Sequence, residues 1–131
     1  MAREEVKSLF AELERIASSS PTSGLKLRRY PSEQWLLYVD LEGVTACVHW
    51  QSLYDSTLKE SDLSVVIESK WPEQVIRSHE HYSFDLTVTR QRVWRSARHQ
   101  TKTLTTKQLA SDVLSSLLAE LKNQEARSTR R

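Results

Sequence analysis

Residues Gln34 to Gln51 alternate apolar and polar side chains on both sides of Glu42-Gly43, and this stretch constrains the fold more than any other. If the chain reverses through a two-residue loop at Glu42-Gly43, Trp35 faces Trp50, Leu37 faces Val48, Val39 faces Ala46 and Leu41 faces Val44. Every one of those pairs is apolar. The opposite face carries Leu36 with His49, Tyr38 with Cys47 and Asp40 with Thr45, a mixed set suited to partial solvent exposure. A one-residue slip would turn the whole apolar ladder toward water, so the pattern specifies the register. Glu42 is not a residue that a primed turn favours.

The flanks extend this hairpin into a sheet. A reversal at Pro31-Ser32-Glu33 sets Leu27 opposite Leu37 and Leu25 opposite Val39. Downstream, Leu63, Val65 and Ile67 mark a fourth strand, and Tyr82, Phe84, Leu86 and Val88 a fifth. The fifth is expected to run on through Val93 and Trp94 with a bulge near Arg90 to Arg92, where apolar alternation breaks. At the amino end, Val6, Phe10, Leu13 and Ile16/Ala17 recur at helical steps, with Glu4 and Glu5 placed to complement the positive helix start. At the carboxyl end, Thr105 is an N-cap with Gln108 closing a capping box, and Leu104 staples against Leu109. Leu109, Val113, Leu117 and Leu121 then form an apolar stripe flanked by Ala110, Leu114 and Leu118. After Lys122 the chain turns polar, and a frayed tail is expected from about residue 123.

A sheet with one apolar face needs a cover. The expected fold class is therefore α+β: a five-stranded, mainly antiparallel sheet with an N-terminal and a C-terminal helix packed on one face, as a single α-β-β-β-β-β-α domain over residues 1–131. A length of 131 residues suits one hydrophobic core. Two glycines and three prolines leave little material for phosphate loops or nucleophile elbows. One cysteine excludes an internal disulfide, no apolar run is long enough for a membrane span, and the start of the chain lacks a secretory h-region. A cytoplasmic location with no membrane contact is the expectation.

Four constellations bear on chemistry. Cys47-x-His49 and His79-x-His81 are pairs at strand spacing and offer a zinc-like donor set, but a meander inserts the Leu63 to Ile67 strand between them. That holds the pairs about 9 to 10 Å apart, too far for ligation, so no metal is expected. Val65-Val66-Ile67-Glu68-Ser69-Lys70 resembles the E-x-K half of the PD-(D/E)xK nuclease motif, which implies Mg²⁺ on strand-borne carboxylates and a lysine that positions water. The upstream acid is missing from its place: Asp62 is six residues away, Asp55 is loop-like and Asp40 is distant. Arg92-x6-His99 resembles the spacing of HEPN ribonucleases, whose residues project from a helix, whereas its flanks here are strand-like. No triad or dyad has a local signature, so no enzyme and no cofactor are expected.

The fourth constellation is charge. Arg90, Arg92, Arg95, Arg98, Lys102 and Lys107 stand without an intervening acid, with Trp94 among them, while Leu36 to Glu68 holds six acids against Lys59. Such a basic strand and loop suits phosphate contacts with a base stacked on Trp94, making Arg90, Arg92, Trp94, Arg95, Arg98 and Lys102 candidate contacts to nucleic acid or an acidic partner. The less charged sheet face bearing Leu36, Tyr38, Cys47 and His49 is the candidate protein interface. The expected function is a non-enzymatic binding or accessory module that contacts another protein or its own copy as a homodimer. The alternatives are nucleic-acid binding through residues 90–107 and, third, a metal-dependent PD-(D/E)xK-like nuclease.

Overall fold

A computed structural model describes residues 2–19, 24–50, 62–70, 74–86, 90–99 and 101–129. The elements are α1 (Ala2–Ser19), β1 (Lys26–Tyr30), β2 (Glu33–Leu41), β3 (Val44–Trp50), β4 (Asp62–Ser69), β5 (Val75–Leu86), β6 (Arg92–Ser96), β7 (Thr103–Leu104) and α2 (Thr106–Thr129). The strands form one antiparallel sheet in chain order, β1 to β7.

The β2–β3 hairpin has the register that its alternation demands, from Leu36 opposite His49 to Leu41 opposite Val44. Trp35 and Trp50 meet edge to face, 4.8 Å between ring centroids. The turn takes positive φ at both central residues, 45° at Glu42 and 90° at Gly43. Gly43 supplies that conformation without strain, and Glu42 adopts it as a non-glycine residue. β1 joins two residues out of the expected register, with Leu27 opposite Val39 instead of Leu37. Tyr30 pairs with Glu33 across a tighter reversal at Pro31-Ser32, and the ladder is irregular between Arg28 and Tyr30. A shift of two keeps Leu27 on the same face.

The sheet has seven strands, not the five expected. Arg90 lies at φ 62°, between β5 and β6. Arg92 to Ser96 is a separate strand that pairs with β5, Phe84 opposite Trp94, instead of extending it past a bulge. Thr103–Leu104 adds a short edge against Trp94 and Arg95. β5 also begins at Val75, seven residues before Tyr82, and a register irregularity between Ile67 and Glu68 absorbs Arg77. Thr87 and Val88 lie outside the described residues.

α2 starts where its capping box places it. The Thr105 amide donates to Gln108 Oε1 at 2.8 Å and the Gln108 amide donates to Thr105 Oγ1 at 3.2 Å. The helix runs on to Thr129 instead of releasing a polar tail at about residue 123. Its polar end is held by folded partners: Ser69 Oγ donates to Gln124 Oε1 at 2.9 Å and Arg127 Nη2 donates to Ser69 Oγ at 3.3 Å.

Core residues alternate along the strands. Leu37, Val39, Leu41, Val44, Ala46, Val48, Leu63, Val65 and Ile67 are buried together with Val6, Leu9, Phe10 and Leu13 of α1 and Leu109, Ala110, Val113 and Leu117 of α2. Leu9 joins the expected stripe because two helical residues in a row can border one broad apolar face. The side of the sheet facing this cluster is the core face, and the residues between project from the outer face.

Candidate binding face

The registers arrange the outer-face side chains in rows across β2 to β5. Leu36, His49, Ser64 and His81 share one row, Tyr38, Cys47, Val66 and His79 the next, and Asp40, Thr45, Glu68 and Ile76 the third. β1 sets Arg28 beside Tyr38 and Lys26 beside Asp40. Leu36, Tyr38, Cys47 and His49, the candidate protein interface, are thus neighbours on this face, and all four are partly buried.

A cleft of about 540 Å³ opens here. Thr45, Cys47 and Val66 come from its central strands, with Arg28, Tyr30 and Tyr38 on one side and Glu68, Lys70, Gln74 and Ile76 on the other. The β1 side is a hydrogen-bonded cluster. Arg28 Nη2 donates to Asp40 Oδ1 at 3.0 Å, Arg28 Nη1 donates to the Tyr30 hydroxyl at 3.1 Å, and Thr45 Oγ1 donates to Asp40 Oδ1 at 2.6 Å. The Arg28 guanidinium lies 4.6 Å from the centroid of the Tyr38 ring, and Tyr30 meets Tyr38 edge to face at 5.9 Å. Burial pushes the Asp40 carboxyl up, but the bonds from Arg28 and Thr45 outweigh it and hold the group below the usual carboxylate range. Burial pushes the Cys47 thiol up; a hydrogen bond with Tyr38 opposes this, and the Glu68 charge adds to it. Cys47 is therefore a protonated, packed thiol and a poor nucleophile.

The opposite side is more open. Gln74 Nε2 donates to Glu68 Oε2 at 3.4 Å, and neither Glu68 nor Lys70 forms an ion pair among the described residues. Ile76 is 61% exposed and Tyr30 is 45% exposed.

The histidines share this face without converging on Cys47. Ser64 Oγ lies 2.9 Å from His79 Nε2, and the His79 and His81 rings are 4.3 Å apart. β4 stands between them and the Cys47–His49 pair, and among the described residues no three metal-binding side chains come together. The E-x-K residues Glu68 and Lys70 both line the cleft, yet Asp40 is two strands away and bound to Arg28. Asp55 lies outside the described residues. The chain continues from Lys70 into β5, not into the long helix of the nuclease pattern. Arg92 sits on β6 and His99 beyond its end, so their spacing does not define a helix face.

The basic segment reads differently in three dimensions. Trp94 is wholly buried, with its indole N–H donating to Thr106 Oγ1 at 3.1 Å, so this ring is not placed to stack on a base. Arg92 pairs with Glu5 at 2.9 Å, Arg95 with Asp85 at 3.0 Å, Arg98 with Glu80 at 3.2 Å and Lys102 with Asp112 at 3.9 Å. Arg90 is exposed. Read as a block, residues 90–107 overstate their charge, because the neutralising acids come from α1, β5 and α2.

Arg28, Tyr30, Thr45, Val66, Gln74 and Ile76 were not among the sequence candidates, and Glu68 and Lys70 were singled out only through the E-x-K resemblance. Val66 and Glu68 carried a signal, since they alternate with the core residues Val65 and Ile67. Ile76 needed the early start of β5. Comparison with protein-family models, curated proteins and solved structures finds no match to this chain.

Proposed function

We propose that this chain is a non-enzymatic, cytoplasmic binding module that docks another protein on its outer sheet face. The observation that carries this reading is the uneven cover of the sheet: α1 and α2 are gathered at the core face, while the outer face keeps Tyr30 and Ile76 exposed beside a cleft. Covering a large apolar side chain contributes about 1.5–3 kcal/mol, so such a face favours occupation. Its charges are of both signs, with Arg28 beside Asp40, Arg95 beside Asp85, and Glu68 near Lys70. A polyanion draws little net attraction from such a mixture, whereas a protein surface of mixed charge matches it.

Site-directed photocrosslinking tests this. With a benzophenone amino acid at Ile76, irradiation of the full chain in its native extract should yield protein adducts, and the same group at Ser115, exposed on α2, should not. Nuclease-sensitive adducts, or equal yields from the two positions, would count against protein docking on this face.

A further inference from the structure

We infer that His79 and His81 form an open, two-histidine site for a transition-metal cation of the Cu²⁺, Ni²⁺ and Zn²⁺ group on the outer face of β5. Neither histidine lines the cleft, and the site does not depend on protein docking there.

Residues i and i+2 of a strand project from one face. His79 and His81 do so with their rings 4.3 Å apart, and both residues are exposed. An ion bound at about 2.0–2.1 Å to one nitrogen of each ring holds those two nitrogens about 3 Å apart. Rings already 4.3 Å from centre to centre reach that separation by rotation about side-chain bonds, with the strand left in place. Ser64 on β4 orients one ring, because its Oγ lies 2.9 Å from His79 Nε2. When Nε2–H donates to that oxygen, the lone pair of the neutral ring sits on Nδ1. This is how a ligating histidine commonly stands, one nitrogen toward the ion and the other bonded to a neighbour. His81 is opposite Ser64 in the ladder, so the three side chains share one patch.

The donors select the ion. Among the described residues no third histidine, cysteine or carboxylate joins the pair. Two neutral imidazoles suit Cu²⁺, Ni²⁺ and Zn²⁺, not the oxygen-seeking Mg²⁺ and Ca²⁺. They leave coordination positions open for water or for a donor from another molecule. Cys47-x-His49, the other pair at this spacing, is not equivalent: cysteine ligates as the thiolate, and burial pushes the Cys47 thiol up. Arg95, opposite Ser83 in the ladder, and Arg98 are matched by Asp85 and Glu80, which limits their repulsion of a bound cation.

Calorimetric titration of the full chain with Cu²⁺, Zn²⁺ and Mg²⁺ tests the site, on the wild type, H79A, H81A, the H79A/H81A double variant and H49A, each checked for folding by circular dichroism. The wild type should bind one Cu²⁺ per chain, Zn²⁺ more weakly, and Mg²⁺ not measurably. H79A and H81A should each weaken Cu²⁺ binding at least about tenfold, and the double variant should lie within about twofold of either, because one histidine alone does not chelate. H49A should bind as the wild type does. Four results overturn the inference: a wild-type Kd for Cu²⁺ above about 1 mM; undiminished binding in H79A or H81A; losses that simply add in the double variant, the mark of two independent histidines; or a loss in H49A as large as theirs.

Discussion

Gln124, near the end of α2, donates from Nε2 to the carbonyl of Glu42, 82 residues earlier in the chain, at 3.2 Å. The same side chain accepts the hydroxyl of Ser69, which is wholly buried, at 2.9 Å. One amide therefore ties the helix end to the β2–β3 turn and to the last residue of β4. A Cβ on Gly43 would stand 3.2 Å from Gln124 Nε2, so the turn glycine also leaves room for this contact.

Gln124→Ala should cost about 1–3 kcal/mol, because it removes a hydrogen bond of the buried Ser69 hydroxyl together with the one to the Glu42 carbonyl. Urea denaturation measures the loss, and amide exchange should quicken over residues 124–129. Unchanged exchange there would mean that the end of α2 is held by other contacts.

Glu5 joins three elements. It accepts Arg92 Nη1 at 2.9 Å and Thr106 Oγ1 at 2.7 Å, and Thr106 in turn accepts the Trp94 indole N–H. Glu5→Ala should destabilise the fold by about 1–3 kcal/mol in chemical denaturation, by removing an acceptor of two bonds at a largely buried site. A change below about 0.5 kcal/mol would show that water replaces it freely.

Leu117 is fully buried between α2 and the sheet. Leu117→Ala should cost about 2–5 kcal/mol through lost burial and the cavity left behind, a large share of a domain's total stability. A urea melt gives the value.

Tyr82 lies in the core, where burial, followed by the charges of Asp112 and Glu80, pushes its hydroxyl up to about 12. An unfolded tyrosine ionises near pH 10. Between about pH 10 and 12 the unfolded chain has released a proton that the folded chain still holds, so stability must fall as pH rises through this window. Tyr82→Phe should flatten that decline in urea midpoints measured at pH 9, 10 and 11, and remove the latest step from the tyrosinate absorbance titration. A decline of the same slope in the variant would assign the alkaline sensitivity to another group.

What the sequence by itself determined is what repeats within a few residues of itself. The β2–β3 register follows from alternation at period two around a single turn, and the start of α2 from a capping box whose members are three residues apart. Both interactions are local, so their geometry is set before the rest of the chain is placed. The number of strands was legible only in part, because the chain returns into β6 past a positive φ at Arg90, which no alternation announces. The fate of the basic segment was decided by tertiary structure alone. Arg92, Arg95, Arg98 and Lys102 look unopposed along the chain, and Glu5, Asp85, Glu80 and Asp112 reach them only once α1, β5 and α2 are folded alongside. The outer cleft belongs to the same class, since Arg28 and Lys70 come to line one cleft only through the order of the strands. Charge and hydrogen bonding act over a few ångströms of space, and between residues far apart in the chain only the completed sheet sets that distance.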